Sequence, residues 1–441
     1  MPDWKKEIKL SDLVPKRKPK DPEAEVEEAP KERKPKKSLL KKELSFKRKP
    51  KAERETGADA EDEEPKKKKK EKKERRNRAP REAGRPKRAK KLIGLKIGGS
   101  QLAAARVVNN GSPELVQVAR ADLDHGLVVG GELREPELLA EELRTFFRKH
   151  KLPKQGVRLG IANNRIGVRI FEIAGIDDPK QLENAIRFRA QEVLPIPIEE
   201  AVLDYQVLGD RVDDEGNTIR RILLVVAYRE LIDRYVSACK KAGLRLSGID
   251  LEAFALLRAL ATPREDESAP ADAAVVAVAI GHDRSTFAVS DGRVCEFTRV
   301  LDWGGGTLDV AIARELNAAP SEAEPVKREL SLAVENVPEG LTPEQAATAR
   351  EAVRRQLSGF ARELVSSLQF YQNQPGSLGI GEIVITGGTA HLQGLAEELQ
   401  KLIGVRVTVG DPLGRVKLGK KLKETEQVGS LAVAIGLGIE D

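Results

Sequence analysis

From Lys91 onward the chain switches between two hydrophobic periods. LIGLKI, LAAARVV and LVQVARADL are apolar-rich or alternating runs joined by GGS and NNGSPE, which predicts three strands in a meander. In EPELLAEELRTFFRKHKL the spacing changes to three and four, setting Leu138, Leu139, Leu143, Phe146 and Phe147 on one helical face. GVRLGIA predicts another strand. Asp178 then precedes Pro179, with Gln181 at the capping-box position, so a helix should start there and stop before Pro195. RRILLVVAYRELIDRYVSACKKAGL adds a buried strand and an amphipathic helix ended by Gly243. Together these pieces predict a small α/β insert.

The second half repeats the opening design. DAAVVAVAIGHDRSTFAVSDGRVCEFTRVL reads as strand, glycine turn and strands, and GGGTLDVAIARELN as a glycine turn entering a helix. Two half-chains built alike suggest a duplicated nucleotide-binding architecture. Near the end, GEIVITGGTAHLQGLAEELQKLIGVRVTVGDP predicts a strand, the turn Gly387-Gly388-Thr389 and then a helix. Its N-terminal amides would offer an anion or hydroxyl site.

Charge separates the beginning from the rest. The 77 Lys and Arg against 70 Asp and Glu give a net charge of only +7, and most of the excess lies before Lys90. Residues 1–90 alternate charge with proline and hold too few apolar groups to offset the entropy of ordering, so they are expected to form a disordered basic tail. Two patches interrupt it. WKKEIKLSDLVP, with Trp4, Ile8, Leu10 and Leu13, and LLKKELSFKRKP, with Leu40, Leu44 and Phe46, share Lys-Lys-Glu-(Ile/Leu) and further apolar residues. They read either as coincidence in a lysine-rich region or as one docking motif used twice. The lysine runs attract phosphate backbones and anionic membranes alike, the latter at ~1 kcal/mol per basic residue near the surface. No helix-turn-helix or RNA-binding signature accompanies them, which argues against specific nucleic-acid binding.

Other chemistry is sparse. Cys239 and Cys295 form no CxxC pair, and His125, His150, His282 and His391 are scattered, so neither a disulfide framework nor a zinc site is expected. No apolar run approaches the ~20 residues of a membrane span, and MPDWKKEIKL lacks the centre of a secretion signal. A cytoplasmic location is the expectation.

Three stretches point to a family. AIRFRAQEVLPIPIEEAVLDYQVLG is a helix ending in Leu-Pro, then Pro, Glu-Glu and an Asp-Tyr strand; SEAEPVKREL holds Ala323, Glu324 and Lys327; ITGGTAHLQGL holds Gly387, Gly388 and Thr389. Taken alone, Glu324 and Lys327 read as a surface pair worth ~0.3 kcal/mol. In this order, and over everything after the tail, the stretches resemble the PilM family of type IV pilus assembly, actin-like ATPases related to the division protein FtsA. The first is similar to the PilM insert called subdomain 1C, the second to a helix that contacts adenosine, the third to the adenosine loop.

The resemblance implies an actin-like (ribonuclease H-like) two-domain α/β fold. It divides the chain into the tail (1–90), domain 1A (91–163 and 245–271), the inserted 1C (164–244) and domain 2 (272–441, with 2B about 315–375). It also implies ATP or ADP as ligand. Family turns read Asp-Ile-Gly-Ser-Ser and Asp-Ile-Gly, with the two carboxylates holding hydrated magnesium. Here the turns are Lys96-Ile97-Gly98-Gly99-Ser100 and Ala279-Ile280-Gly281, and neither lysine nor alanine supplies the oxygen that magnesium wants. The magnesium site is expected to be lost, unless a changed loop brings Asp283 into place. Gly98, Gly99, Ser100, Gly281, Ser285 and Thr286 still offer donors. Lys96 would either stand in for the cation or pair with a nearby acid.

The family's members grip the cytoplasmic N-terminal peptide of PilN between 1A and 1C, so the expected role is a scaffold peripheral to the inner membrane. RILLVVAYRE and the helix Leu182 to Leu194 should line part of that groove, and the tail would recruit other pilus assembly proteins or anionic membrane. Two alternatives stay open: an active, polymerising actin-like ATPase, and the cytoplasmic module of a type II secretion protein.

Overall fold

A computed structural model describes residues 90–440 except 177, 194–196, 213–215, 262–272, 375, 421 and 423–427. The expected basic tail and its motif residues Trp4, Ile8, Leu10, Leu13, Leu40, Leu44 and Phe46 lie outside the described residues.

The opening alternation becomes β1 (Lys90–Ile97), β2 (Gln101–Asn110) and β3 (Ser112–Asp122), paired antiparallel in sequence order. A short hairpin, β4 (Val128–Val129) and β5 (Glu132–Leu133), leads into α1 (Pro136–Lys149). Leu139, Leu143, Phe146 and Phe147 are buried as expected, but Leu138 is 48% exposed. A helix turns ~100° per residue, which carries Leu138 off the stripe that the other four define. β6 (Gln155–Ile161) then adds parallel to β1.

β7 (Ile166–Ala174) starts a separate sheet. Asp178 Oδ1 accepts from the amides of Lys180 and Gln181 at 3.0 and 2.9 Å and so caps α2 (Pro179–Val193). β8 (Ala201–Val212) and β9 (Thr218–Tyr228) complete the order β7-β9-β8, and α2 buries Leu182, Ile186 and Ala190 against one face. α3 (Arg229–Lys241) ends at Gly243, where the Leu244 amide donates to Cys239 O at 3.0 Å. Its apolar residues Leu231, Tyr235 and Ala238 join the core of α1 rather than that of α2. The insert expected to run to 244 therefore hands its last helix to the first lobe.

β10 (Arg245–Leu251) pairs parallel with β6, and α4 (Glu252–Leu260) leads toward a second sheet. There β11 (Ala274–Ile280), β12 (Ser285–Ser290) and β13 (Cys295–Leu301) repeat the antiparallel meander. α5 (Gly305–Leu316), α6 (Pro320–Glu329) and the long α7 (Pro343–Gln372) supply its helical layer. β14 (Ile380–Thr386), α8 (Leu395–Ile403) and β15 (Val407–Val409) follow, and both strands add parallel. The first sheet runs β10-β6-β1-β2-β3 and the second β15-β14-β11-β12-β13, so one topology occurs twice.

The end of the chain departs from the expected second domain of 272–441. β16 (Lys417–Leu418) pairs parallel with β3, and α9 (Ala432–Gly438) packs on α4, β1 and β2 of the first lobe. Glycines allow the approach: a Cβ on Gly436 would stand 1.8 Å from Ala255 O, and one on Gly94 2.0 Å from Ala434 O. α4 and α9 thereby form the apolar layer between the sheets, with Ala277, Ala279 and Ala288 of the second sheet in the same cluster.

Candidate functional site

The β1–β2 turn, the start of α4 and the β11–β12 turn converge where the lobes face each other. Lys96 Nζ lies 3.4 Å from Glu252 Oε2, and Glu252, the first residue of α4, is 2% exposed. From the other lobe, Arg284 Nη2 approaches Glu252 Oε1 at 3.8 Å, while its Nη1 pairs with Asp283 Oδ2 at 3.3 Å. The same Asp283 oxygen accepts from the Gly130 amide at 3.0 Å. Asp283 also lies against Gly99, where a Cβ would stand 2.8 Å from its Cγ. Burial by itself would lower the Arg284 pKa, but Glu252 and Asp283 more than offset this and hold it above its ordinary value. Tyr235 of α3 faces the cluster and donates to Gly131 O at 3.1 Å; burial pushes its hydroxyl pKa up.

A second group assembles the residues expected near adenosine. Gly281 O accepts from the Gly305 amide at 2.9 Å and from Thr389 Oγ1 at 3.1 Å. Lys327 Nζ donates to Gly305 O at 3.1 Å and to Asp309 Oδ2 at 2.7 Å. Asp309 is buried, which raises its carboxyl pKa, while the Lys327 hydrogen bond works the other way. Glu324 bonds Arg328 at 2.6 Å on the exposed side of α6; partial burial pushes its pKa up, and Arg328 overcomes this and holds it below the ordinary range. Gly387, at φ 96°, passes so close to β11 that a Cβ would stand 2.2 Å from Ile280 O, whereas Gly388 has open space around it.

Several expected donors are engaged elsewhere. Ser285 and Thr286 are buried in β12, and Ser285 Oγ donates to Trp303 O at 2.7 Å. Gly387-Gly388-Thr389 leads first into a 3-10 helix, Thr389–His391, and the expected α-helix, α8, begins only at Leu395. The amides of Gly305 and Gly306 at the start of α5 donate to the carbonyls of Gly281 and His282. Lys96 stands beside an acid, Glu252. Sequence reasoning did not single out Glu252, Arg284 or Asp309, because no local pattern marks them. It also missed that His282 and His125, from opposite lobes, lie with ring centroids 4.9 Å apart.

Between the first lobe and the inserted sheet lies a groove of about 790 Å³. Pro136 and Glu137 of α1, Glu199 and Glu200 before β8, Tyr228 at the end of β9, and Arg229 and Asp233 of α3 are among its walls. The Arg165 guanidinium stacks 4.0 Å above the Tyr228 ring. Arg229 is held by Glu199 O at 3.2 Å and Ala201 O at 2.7 Å.

Residues 94–441 match the family described as type IV pilus assembly protein PilM. The chain belongs to the PilM family. Its fold is the actin-like ATPase fold. A chain of the solved PilM-PilN type IV pilus biogenesis complex is 26% identical, superposes with a TM-score of 0.66, and is matched over 80% of this chain and 98% of its own length. Cell division protein FtsA of Escherichia coli K12 is 24% identical over 366 residues, 74% of this chain and 84% of FtsA. FtsA of Bacillus subtilis 168 is 23% identical over 296 residues, 59% and 64% of the two chains.

In this PilM-family chain one of the two segments expected beside a peptide borders this groove. Tyr228, Arg229 and Glu230, at the end of RILLVVAYRE, line it. Among the described residues of α2 none borders it, and Leu182, Ile186 and Ala190 pack against the three-stranded sheet. Among the described residues no helix is long and apolar enough to cross a membrane, and no three His, Cys, Asp or Glu side chains cluster as a metal site would require.

Proposed function

We propose that this chain is a cytoplasmic scaffold of the type IV pilus inner-membrane assembly complex, that it binds the N-terminal peptide of a PilN-like membrane protein, and that it hydrolyses little or no ATP. The observation that carries the reading is the groove between the first lobe and the inserted sheet, in a fold that matches nearly the whole of a chain from a PilM-PilN complex. Its walls suit an extended peptide. The Tyr228 ring and its stacked Arg165 form a flat contact face, and the carboxylates of Glu200 and Asp233 can accept from a peptide's amides or basic side chains. Gripping a membrane protein's cytoplasmic end would place the chain at the inner face of the membrane and tie the machine's membrane parts to its cytoplasmic ones. The basic tail would add anionic lipid or other pilus assembly proteins as further contacts.

The low turnover is supported by the chemistry of the cleft. Phosphoryl transfer relies on a metal and charged donors arranged around the phosphates, and Lys96 and Ala279 stand where two carboxylates would be needed. The reading is tested by calorimetric titration of the full chain with a synthetic peptide carrying the N-terminal cytoplasmic segment of a PilN-like protein. Saturable binding is expected, weakened at least about tenfold, or ~1.4 kcal/mol, by Tyr228→Ala in a protein that remains folded. No binding to the intact chain would remove the peptide reading, and magnesium-dependent ATP turnover that cleft variants abolish would remove the scaffold's inactivity.

A further inference from the structure

The residues of the cleft do not fit a magnesium-nucleotide. Of the six donor residues left to the two turns, Ser285 donates to Trp303 O and Thr286 is buried within its strand. The Gly98–Gly99 loop, whose glycines would let a phosphate approach, already has the Asp283 carboxylate against it. A phosphate arriving there would meet a like charge at close range. Lys96 could turn toward a phosphate only by leaving Glu252, a carboxylate that is almost fully buried.

The geometry points to an internal replacement: the Asp283-Arg284 turn of the second lobe is a clamp that does the work of a bridging nucleotide and cation, so the lobes stay closed without either. Each half of the turn has its counterpart in the first lobe. Asp283 supplies the anion, held by the Gly130 amide at 3.0 Å and seated on Gly99. Arg284 supplies the cation, its side chain 6% exposed and directed at Glu252, which Lys96 approaches from the first lobe. The four groups, Lys96, Glu252, Asp283 and Arg284, sum to zero formal charge, so the cluster is neutral without a ligand. Gly131 completes the seat: it has φ 79°, and a Cβ there would stand 2.2 Å from Ala162 O and 3.3 Å from Arg284 Cζ. The turn therefore fits into the first lobe as a preformed shape as well as a charge pattern. This inference concerns the cleft alone and stands or falls apart from peptide binding in the groove.

The test uses the full chain with spin labels on Lys149→Cys and Lys401→Cys, two exposed positions on α1 and α8, one in each lobe. Cys239 and Cys295 are buried and should stay unlabelled. Pulsed dipolar spectroscopy should give one narrow inter-lobe distance that is the same in EDTA and with magnesium and ATP, and the melting temperature should not move between those conditions. Asp283→Asn together with Arg284→Gln should broaden the distance distribution and lower the melting temperature. Should that pair not fold, Asp283→Asn alone keeps the shape, removes only the charge, and should broaden the distribution in the same direction. A melting temperature raised by magnesium-ATP in the unaltered chain would overturn the clamp, because the cleft would then hold nucleotide. A distribution left unchanged by Asp283→Asn would overturn it equally.

Discussion

Replacing Lys327 by methionine separates a structural role for this residue from a nucleotide-binding one. The ammonium and the Asp309 carboxylate lie 2.7 Å apart, with side chains 13% and 4% exposed, so the substitution strands a buried acid. Removing one partner of a buried pair costs ~3–5 kcal/mol. The acid can limit the loss by taking up a proton: from an ordinary pKa of 3.8, neutralising it at pH 7 costs at most about 4 kcal/mol at 1.36 kcal/mol per unit. Water reaching the vacated edge lowers the figure further, to roughly 2–4 kcal/mol. At roughly 2 °C per kcal/mol for a unit of this size, the melting temperature should fall by about 4–8 °C at pH 7. Burial already raises the Asp309 pKa, and the loss of Lys327 raises it more. A carboxyl with a raised folded pKa contributes its stability below the unfolded value and loses it as pH rises through the folded one, so the variant's deficit should shrink as pH is lowered from 7 to 5. Adding Asp309→Asn should recover most of it. The assay is thermal melting followed by the fluorescence of Trp303, which is buried and stacked on Phe360 with centroids 4.0 Å apart. A fall of less than about 1 °C, or a deficit that does not depend on pH, would refute the reasoning.

Burial and the neighbouring His125 lower the His282 pKa, while Asp309, Lys327 and Asp283 also face it. Its contribution to stability is present above about pH 6.5 and lost as pH falls through the lowered folded value; His282→Gln should therefore melt with a shallower pH dependence between 7.5 and 5.5. Gly436→Val should destabilise by more than ~3 kcal/mol and reduce soluble yield, since even a Cβ would meet Ala255 O at 1.8 Å; a melting temperature within a degree of the unaltered chain would contradict that packing. Lys96→Asp with Ala279→Asp restores both family carboxylates, yet should lower the melting temperature without producing magnesium-dependent ATP binding. The carboxylate introduced at position 96 would face buried Glu252, and Asp283 would still lie on the glycine loop; tight binding by calorimetry would contradict this.

Sequence alone determined the features whose causes are local. Alternation set the two meanders, and a capping aspartate and a terminal glycine bounded α2 and α3, since each depends on residues within a few positions. The order of those parts was enough to indicate the fold and the family, and the exchange of two acidic positions for Lys96 and Ala279 was visible without coordinates. Tertiary structure decided everything that depends on separation across the chain. Leu138 faces outward because only one stripe of α1 meets α3, and α3 left the insert because its apolar face matches α1. The glycines of α9 mattered once the chain returned to β1 and α4. Asp283 and Gly130, 153 residues apart, touch only after both lobes have formed, and Arg284 meets Glu252 by the same closure. A spacing pattern records which side chains share a face of one element. It does not record which distant charge will be buried opposite them, as Arg284 is opposite Glu252.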